Sequence, residues 1–565
     1  MKKLILLFNA LLICNILLAQ VDRYSVVINE ILADPSPVVG LPNTEFVELK
    51  NISSHPINLL KWKLDNGSTK ASIPVDYILA PDSLVVLCSK TKAIFFNSNI
   101  KTIGLGSFPS LVNDGDIITI RDEQGNAIHA VEYIKKWYNN PIKGEGGWSL
   151  EMIDPKRPCD KNNWSASVHY SGGTPGFENS IYKSPGIEET IIGLQCIALN
   201  PTKLMMHFNQ GADSVSLSAV ANYSLGEEKI HPITTLPIGP LFNVVELTFN
   251  VPLSENKLYD LHIGPIKHCS SLLQDTVNIK TGLIKLPESN ELIINEVLFD
   301  PPSEGADFVE LYNNSTHIIN AKDIYLSNKN ETGELGKSYV AAKEDLNIFP
   351  NDYFTISTDT SFIVSHWRNT NSTNLSEIKT MPSYPDDKGQ VIILTQQGKI
   401  LDEFDYSEKL HFPLLREKSG VSLERINPTV PTATSSNWHS ASASSGYGTP
   451  TRKNSQQDND DSIHSTIRIL PDFFSPDNDG IDDYLTIQYN FLVPDNLMSV
   501  YVFDQNGVMV TKAIDNQLCG TTGSLFWNGL DSKKRRVSPG LYIILVESMD
   551  MKGGRVRIKK GIVVN

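Results

Sequence analysis

Two short segments, VINEILADP (residues 27–35) and EFVELKN (residues 45–51), decide how the rest of the chain folds. Both recur further on as IINEVLFDP (residues 293–301) and DFVELYN (residues 307–313), with a connecting loop of different length. Each segment is a short apolar run broken by polar residues, which is typical of a β-strand. The chain therefore repeats a pair of strands and is modular.

The residues around each pair of strands continue the β pattern. Short β-branched runs at 116–121 and 127–132 flank the sequence EQGN (123–126), which is where a hairpin turn is expected. No long window shows helical periodicity. The two copies also close alike, with GWSLEMIDP (147–155) and GGTPG (172–176) in the first and GVSLERINP (420–428) and GTP (448–450) in the second. This order predicts an all-β sandwich in each copy.

These motifs resemble those of the bacterial lamin tail domain. The resemblance rests on the Ile-Asn-Glu strand, the following Phe-Val-Glu-Leu, the Ser-Leu-Glu before Asn-Trp and the terminal Gly-Thr-Pro, in the same order twice. It covers residues 21–183 and 290–452. The resemblance implies an immunoglobulin-like (Ig-like) sandwich that serves as a binding or architectural module and has no known catalytic apparatus.

The remaining segments resemble two other kinds of β domain. Residues 187–286 show period-two alternation and resemble the Ig-like domains of bacterial surface-layer and adhesin proteins. Residues 466–565, which contain FSPDNDGIDD (474–483) and FWNG (526–529), resemble the Ig-like domain of the flagellar hook-cap protein and the C-terminal sorting domains of type IX secretion. The polar residues 453–465 are predicted to be a linker. The predicted fold class is therefore all-β, with four Ig-like β-sandwich domains in a row after a signal peptide.

The first twenty residues have the pattern of a secretory signal peptide. Lys2 and Lys3 precede an apolar run that extends from Leu4 to Leu18, and cleavage is expected near Ala19 or Gln20. The formal net charge of -15 disfavours a nucleic-acid or anionic-membrane partner, because both require a concentrated basic surface. No later run reaches the roughly 18 apolar residues of a membrane helix. We expect a secreted or cell-surface protein without a transmembrane span.

Five of the six cysteines lie beyond the predicted signal peptide. Cys88 and Cys159 are both replaced in the second copy, by serine and threonine at the aligned positions, and this joint loss predicts a disulfide between them. Cys196 and Cys269 bracket the next segment and form a second predicted pair. The alternative is that these residues are unrelated buried thiols. Cys519 is left over and is predicted to be free.

The C-terminal segment contains a cluster of aspartates around Gly480, namely Asp477, Asp479, Asp482 and Asp483. Like charges this close require a cation or hydrogen-bond donors, and carboxylate oxygens are suitable ligands for Ca²⁺. The spacing differs from that of an EF-hand loop. Calcium is therefore the one candidate cofactor, and an acidic Asx-turn at the start of a strand is the alternative.

Both copies share a polar motif on two adjacent strands, with Asn29, Glu30 and Glu48 in the first and Asn295, Glu296 and Glu310 in the second. A pair of glutamates could form a carboxylate couple for acid–base catalysis. The neighbouring asparagines and Pro35 instead favour a hydrogen-bonded corner with a structural role. Trp148, Trp164 and Trp438 could stack against sugars, but a tryptophan in a sandwich is more often part of the core.

No sequence motif indicates an enzyme. His-Glu-x-x-His, Cys-x-x-Cys, Gly-x-Ser-x-Gly and the Walker loop are absent from the sequence. We expect a non-enzymatic exported protein that uses its Ig-like modules for adhesion or scaffolding, with a protein or glycan partner at the cell surface or matrix. The alternatives are an accessory or divergent extracellular hydrolase with a site between domains, and a passive structural spacer of the cell envelope.

Overall fold

The computed structural model describes residues 21–183, 191–268, 276–330, 332–415, 417–457 and 465–565. Its regular structure is nearly all β, and this confirms the predicted fold class. The predicted signal peptide, residues 1–20, lies outside the described residues. The part of the chain that is described holds no helix with the length and apolarity needed to cross a membrane. Contacts divide the chain into two units, and each is described separately: residues 1–252 with 259–281, and residues 253–258 with 282–565.

The first copy of the repeat is a sandwich of two sheets. Its strands are β1 (Val26–Leu32), β2 (Phe46–Asn51), β3 (Ile57–Asn58), β4 (Lys63–Asp65), β5 (Lys70–Ser72), β6 (Ile78–Leu79), β7 (Leu84–Ser89), β8 (Thr102–Leu105), β9 (Gly115–Arg121), β10 (Ala127–Ile134), β11 (Leu150–Met152) and β12 (Trp164–Ala166). One sheet has the order β12-β11-β1-β2-β7-β8, the other has the order β10-β9-β4-β5, and β3 pairs with β6. Apolar residues of both sheets, such as Ile31, Val47 and Ile118, are fully buried between them.

The middle domain follows in the same unit and is also built from two sheets. Its strands are β13 (Gly193–Asn200), β14 (Lys203–Phe208), β15 (Tyr223–Leu225), β16 (Thr234–Ile238), β17 (Val244–Thr248), β18 (Tyr259–Ile263) and β19 (Val277–Thr281). The sheet orders are β13-β14-β17-β16 and β15-β18-β19. A short helix, α1 (Ser214–Leu217), precedes β15, and the Asp213 carboxylate caps it by accepting from the Ser216 N–H at 2.7 Å.

The second copy repeats the topology of the first. Its elements are β20 (Leu292–Leu298), β21 (Phe308–Asn313), β22 (Ile319–Asn320), β23 (Ile324–Ser327), β24 (Tyr339–Val340), β25 (Asn347–Ile348), β26 (Tyr353–Ser357), α2 (Thr360–His366), β27 (Leu375–Glu377), β28 (Lys388–Thr395), β29 (Ile400–Ser407), β30 (Leu423–Arg425) and β31 (Trp438–Ser440). The main sheet has the order β27-β26-β21-β20-β30-β31 and faces a sheet of order β24-β23-β28-β29, while β22 pairs with β25.

The C-terminal domain packs a three-stranded sheet against a five-stranded one. Its strands are β32 (Thr466–Leu470), β33 (Phe473–Phe474), β34 (Leu485–Asn490), β35 (Asn496–Asp504), β36 (Met509–Cys519), β37 (Thr522–Trp527), β38 (Gly540–Met549) and β39 (Arg555–Val564). The sheet orders are β32-β34-β37 and β33-β39-β38-β35-β36. Single 3₁₀ turns connect several strands along the chain, at Ala93–Phe95, Lys135–Tyr138, Lys143–Glu145, Val220–Asn222, Ala321–Asp323, Ser372–Asn374, Glu408–Leu410, Ser435–Asn437 and Ala443–Ser445.

The first strand of each copy carries a β-bulge at its asparagine. The register of β1 against β2 shifts between Ile28 and Glu30, and that of β20 against β21 shifts between Ile294 and Glu296. A bulge leaves backbone groups without a ladder partner. The Ile28 N–H therefore donates to Nδ1 of the buried His129 at 2.8 Å, and the Ile294 N–H donates to a carboxylate oxygen of Asp402 at 2.9 Å.

The predicted disulfide between Cys88 and Cys159 is wrong. Cys88 is a buried, reduced thiol in β7, where it packs with Phe46 and Phe96, and burial raises its pKa to about 11. Strands β7 and β11 are separated by β1 and β2, a distance of about 14 Å, and disulfide-bonded Cα atoms are at most about 7 Å apart. Cys159 follows β11 and is itself disulfide-bonded. Its Sγ lies 3.7 Å from Nε2 of His268 in the middle domain.

The second predicted pair, Cys196 with Cys269, is not formed either. Cys196 is a buried, reduced thiol in β13, and burial raises its pKa to about 12. Cys269 lies outside the described residues. Cys519 is a buried free thiol, as the sequence predicted. The joint absence of Cys88 and Cys159 from the second copy therefore reflects two separate local environments.

Peptide mapping tests this assignment of the cysteines. We expect alkylation of the denatured, unreduced protein to label Cys88, Cys196 and Cys519, and to leave Cys159 unlabelled until a reductant is added. Burial alone protects the three thiols in the native protein, so they should react only after denaturation. Recovery of a peptide that links Cys88 to Cys159 would contradict the structure.

Candidate functional site

Three glutamates lie side by side on the outer face of the main sheet in the first copy. Glu30 in β1 is directly opposite Glu48 in β2 on one side and Glu151 in β11 on the other. All three residues have no exposed surface. The sequence predicted the first two, but it did not place Glu151 beside them, although the Ser-Leu-Glu motif recurs in both copies. We call these residues the glutamate triad.

The segment of residues 172–181, which we call the strap, covers the triad. The Thr174 N–H donates to Glu30 Oε1 and the Thr174 hydroxyl donates to Glu151 Oε1, both at 2.9 Å. The strap lies very close to the sheet, because a Cβ added to Gly173 would be 2.5 Å from Glu30 Oε1. Only glycine fits at that position without a shift of the strap.

The rest of the strap gives its backbone and hydroxyl donors to the other two carboxyl groups. The Gly176 N–H donates to Glu48 through a short hydrogen bond. The Ser180 hydroxyl and the Ile181 N–H donate to Glu151 Oε2 at 2.8 and 3.2 Å. The strap residues from 172 to 181 form no β-strand in the structure. The hydrogen bonds to the carboxyl oxygens of the triad are therefore the main polar contacts that hold the strap to the sheet.

A pair of asparagines completes the site. Asn29, the residue of the β-bulge, donates to Glu48 Oε1 at 3.0 Å and to the side-chain oxygen of Asn179 at 2.9 Å. Asn179 donates in turn to the backbone oxygens of Asn29 and Met152, at 2.9 and 2.7 Å. The bulge thus turns the Asn29 side chain towards the strap, and Asn179 joins the strap to two strands.

The second copy contains the same site. Glu296 in β20 is opposite both Glu310 and Glu424, and residues 447–456 are the corresponding strap. In this copy Thr449 donates to Glu296 and Glu424, and Thr451 donates to Glu310. Ser455 and Gln456 donate to Glu424, and the Asn454 side chain donates to the backbone oxygens of Asn295 and Arg425. Residues 454–456 belong to the predicted linker 453–465, so the first residues of that linker are instead bonded into the sandwich.

Burial favours the protonated form of these carboxyl groups. It raises the pKa of Glu30 well above its ordinary value, and the neighbouring Glu48 carboxyl raises it further. The same desolvation raises the pKa of Glu48 to about 7 and the pKa of Glu310 to about 8. Burial and the adjacent glutamates raise the pKa of Glu296 well above its usual range. Each triad therefore holds at least one proton near neutral pH, because adjacent buried carboxylates do not all ionise.

The hydrogen bonds indicate which glutamate carries that proton. Both oxygens of Glu48 accept hydrogen bonds, whereas Glu30 Oε2 has no partner among the described atoms. In the second copy the Thr449 hydroxyl lies 3.0 Å from Glu296 Oε2 and 2.8 Å from Glu424 Oε1. A hydroxyl has a single hydrogen and donates to only one of them. Protonation of Glu296 satisfies both contacts, because its O–H donates to the Thr449 oxygen and Thr449 donates to Glu424.

This geometry makes the triad a structural site. The glutamates that the sequence offered as an acid–base pair are completely buried, so a substrate in solvent does not reach them. Their oxygens instead accept from the strap of the same copy. The arrangement fixes the C-terminal end of each sandwich to its central strands.

The strap of the second copy also contacts the C-terminal domain. The Ser455 carbonyl accepts from the Thr521 N–H at 2.8 Å. The Gln456 side chain donates to the Cys519 carbonyl at 3.3 Å and accepts from the Asp495 N–H at 3.2 Å. The strap of the second copy thus donates hydrogen bonds to the buried glutamates of its own domain and also forms hydrogen bonds with the C-terminal domain.

The aspartate cluster of the C-terminal domain forms a turn rich in Asx contacts. Asp483 accepts from two backbone N–H groups, at 2.6 and 2.9 Å, and Asp477 and Asp479 accept from one each, at 3.2 and 2.8 Å. These three residues each place one carboxylate oxygen within 4.8 Å of the others, and Asp482 is outside that group. The structure thus shows the capping role, and calcium binding stays a prediction.

The tryptophans lie mostly in the cores. Trp438 is 2% exposed and stacks on Phe404 with ring centroids 3.6 Å apart. Trp164 is 6% exposed and stacks on Trp137 at 6.0 Å. Trp148 is half-buried beneath the ammonium group of a lysine. Two of the three candidate sugar platforms therefore have no free ring face at the surface.

Substitution of the triad tests where the proton lies. We expect the double variant Glu30→Gln, Glu296→Gln to remain folded, because an amide can replace a protonated carboxyl group. The double variant Glu48→Gln, Glu310→Gln should lose roughly 2 kcal/mol or more per site at every pH, because each new NH₂ group faces a donor. The free energy of unfolding, measured with urea at pH 6.5 and pH 9, distinguishes the two.

The pH dependence has a defined sign. A glutamate whose pKa in the folded protein exceeds its ordinary value of 4.5 contributes stability that is complete below pH 4.5. This contribution falls by about 1.4 kcal/mol per pH unit for each such group as the pH rises from 4.5 to the pKa in the folded protein, which burial raises well above 4.5 for Glu30 and Glu296. The wild-type protein should therefore weaken between pH 6.5 and pH 9, and the Glu30→Gln, Glu296→Gln variant should weaken less. An equal decline in both proteins would disprove the assignment.

Addition of calcium tests the aspartate cluster. If the cluster binds Ca²⁺, the Tm of the C-terminal domain should rise in millimolar Ca²⁺, because a ligand that binds only the folded state stabilises it. The rise should disappear in Asp479→Asn, which removes one of the three converging carboxylates. An unchanged Tm would leave capping as the role of the cluster.

Comparison with known families agrees with this architecture. The lamin tail domain family matches residues 21–135 and 286–408, and the CHU_C type IX secretion signal domain family matches residues 468–564. The third glutamate of each triad and both straps lie beyond the matched lamin tail segments. No curated protein sequence matches the chain.

Several solved structures show weak similarity to the chain, with low sequence identity and low TM-scores. The S-layer protein rSbsC(31-844) is 10% identical over 67% of this chain and 54% of its own, with a TM-score of 0.16. FlgD from P. aeruginosa is 20% identical over 18% of this chain and 77% of its own, with a TM-score of 0.14. A 1.5-MDa bacterial ice-binding adhesin is 9% identical over 67% of this chain and 99% of its own, with a TM-score of 0.12. Superpositions this poor add nothing to the assignment, which rests on the matched families.

Neither of the matched domain types is enzymatic. The duplicated sandwiches and the C-terminal segment are the regions that these families describe. The chain therefore carries two lamin tail domains followed by a C-terminal CHU_C type IX secretion signal domain.

Proposed function

We propose that this protein works outside the cell as a non-catalytic adhesion or scaffold protein, which displays its Ig-like sandwiches to a protein or glycan partner. The observation that carries the proposal is the domain content: a secretion signal domain at the C-terminus of a chain with two lamin tail domains. In such a protein the C-terminal signal domain directs the export of the other domains. Their exposed loops and edge strands supply the contacts.

The internal chemistry of the sandwiches supports a binding role over catalysis. The glutamates that are conspicuous in the sequence are buried beneath the straps and hold the fold together. The buried His129 is also structural, since it receives the N–H of the bulge and burial lowers its pKa to about 4. The glutamates of both triads and His129 are thus committed to contacts within the chain.

A truncation tests export. We expect cells that produce the full chain to present it at the surface or in the medium, and cells that produce a chain lacking residues 465–565 to retain it. The cut falls outside the strap of the second copy, so the triad stays covered. Detection of both forms by antibody after cell fractionation is the measurement, and equal export of the truncated chain would contradict the sorting role.

Binding arrays separate an adhesion protein from a passive spacer. The exported protein should bind saturably to at least one class of glycan or matrix protein if it is an adhesion or scaffold protein. A spacer would bind none. Turnover of a polysaccharide, peptide or phosphoester panel would instead reveal a hydrolase.

A further inference from the structure

An open cleft lies beside the strap of the first copy, on the same outer face of the main sheet as the triad. The cleft has a volume of about 600 Å³. Its apolar lining consists of Leu41, Pro42, Phe95, Phe96, Ile100 and Pro175. Phe96 forms the floor, with 7% of its surface exposed, and its ring lies edge-on to Phe46 at 5.8 Å. Phe95 is 58% exposed at the edge of the cleft. We call this feature the first-copy cleft.

The second copy covers the corresponding place with its own chain. The connection in question leads to the parallel edge strand of the main sheet, from β7 to β8 in the first copy and from β26 to β27 in the second. Thr102 follows its ladder partner Val86 by 16 positions, whereas Leu375 follows Thr355 by 20. The difference of four residues is about one helical turn. The second copy accordingly forms α2 there, where the first copy has only a 3₁₀ turn.

The residue that closes this region in the second copy is a tryptophan. Trp367 directly follows α2, is 3% exposed, and lies edge-on to Phe308 at 5.6 Å. Its indole N–H donates to the Gly446 carbonyl, just before the strap, at 3.1 Å. A Cβ added to Gly448 would be 2.7 Å from the indole ring, so the strap packs directly on it. The fold therefore accommodates a large aromatic side chain between this connection and the strap.

The charges near the first-copy cleft favour a partner that carries negative charge. Lys92 lines the cleft, and Lys90 and Lys101, which are close in sequence to the lining residues Lys92 and Ile100, are also exposed, although the whole chain has a net charge of -15. Among the described residues, no carboxylate lies within ion-pair distance of these three lysines. The Lys92 ammonium lies 5.5 Å from the centroid of the Phe95 ring. The rim of the cleft is therefore positive and lacks an internal counter-charge.

These features favour a peptide over a sugar as the occupant. A sugar stacks on a free aromatic face, and the Lys92 ammonium already covers one face of Phe95. The second copy shows that a polypeptide side chain, the indole of Trp367, fits against the same elements of this fold. An aromatic anchor with flanking carboxylates satisfies both the apolar lining and the positive rim.

We propose that the first-copy cleft binds an acidic peptide segment of a partner protein and receives one of its aromatic side chains between Phe95 and the strap. Lys90, Lys92 and Lys101 face the carboxylates of that segment. This proposal rests on the proposed function as a binding protein, and it names the chemistry of the partner and the place where it binds.

A peptide titration of the mature full-length protein tests the proposal. The probe is a fluorescein-labelled pentapeptide with one tryptophan between two Asp-Glu pairs, and fluorescence anisotropy is the readout. We expect saturable binding that weakens at least about tenfold when alanine replaces the tryptophan of the probe, since aromatic anchors dominate such interfaces. Binding should also weaken as salt is added, because the lysines are exposed.

Variants of the protein locate the site. Phe95→Ala and Lys92→Glu should each weaken binding at least about tenfold, and both residues are exposed enough to be replaced without loss of the fold. Phe526→Ala is the matched control, because Phe526 is 56% exposed in the C-terminal domain and should not change binding. Circular dichroism confirms that each variant is folded.

Several outcomes would overturn the proposal. These are no binding of the peptide, equal binding of the tryptophan and alanine probes, equal binding by Phe95→Ala, and selective binding of an acidic oligosaccharide in place of the peptide. The test of the cleft is separate from the test of the proposed function. A Phe95→Ala protein that still reaches the cell surface and still binds its array ligand would refute the cleft and leave the adhesion role intact.

Discussion

The fold of each lamin tail domain depends on three buried carboxyl groups that accept hydrogen bonds from one strap. Three acidic side chains on adjacent strands would repel each other if all were ionised. The structure avoids this by retaining a proton, and by offering the remaining oxygens to backbone and hydroxyl donors. The strap has no strand of its own to pair with, so these acceptors determine where it lies. The triad is therefore the point at which the end of each domain is joined to its beginning.

The two copies meet a second shared requirement with different residues. The bulge at Asn29 and Asn295 frees the N–H of the preceding isoleucine, and a buried acceptor must take it. The first copy uses the neutral ring of His129, whose other nitrogen faces the Pro158 carbonyl at 2.9 Å. The second uses Asp402, and its charge is balanced by Arg425 at 3.1 Å. The backbone geometry is conserved between the copies, while the side chains that satisfy it have changed together.

The outer face of the main sheet differs between the two copies. The second copy covers it with α2 and Trp367, and its strap continues into hydrogen bonds with the C-terminal domain. The first copy covers the same face with Phe96 and leaves a cleft beside the strap. One duplicated fold thus provides an internal junction in one position and an open surface in the other.

The sequence by itself determined the duplicated strands, the all-β class, the two lamin tail domains, the C-terminal secretion signal domain and the glutamates that recur in both copies. It could do so because strand patterns and recurring motifs are local properties of the chain. Only the tertiary structure decided that Glu151 joins Glu30 and Glu48, that the strap covers them, and that Asn454 belongs to a sandwich and not to a linker. Several of these contacts join residues more than a hundred positions apart, as between Thr174 and Glu30 and between Asn454 and Asn295. The separation of Cys88 from Cys159 likewise depends on the order of strands in the sheet, which no local pattern contains.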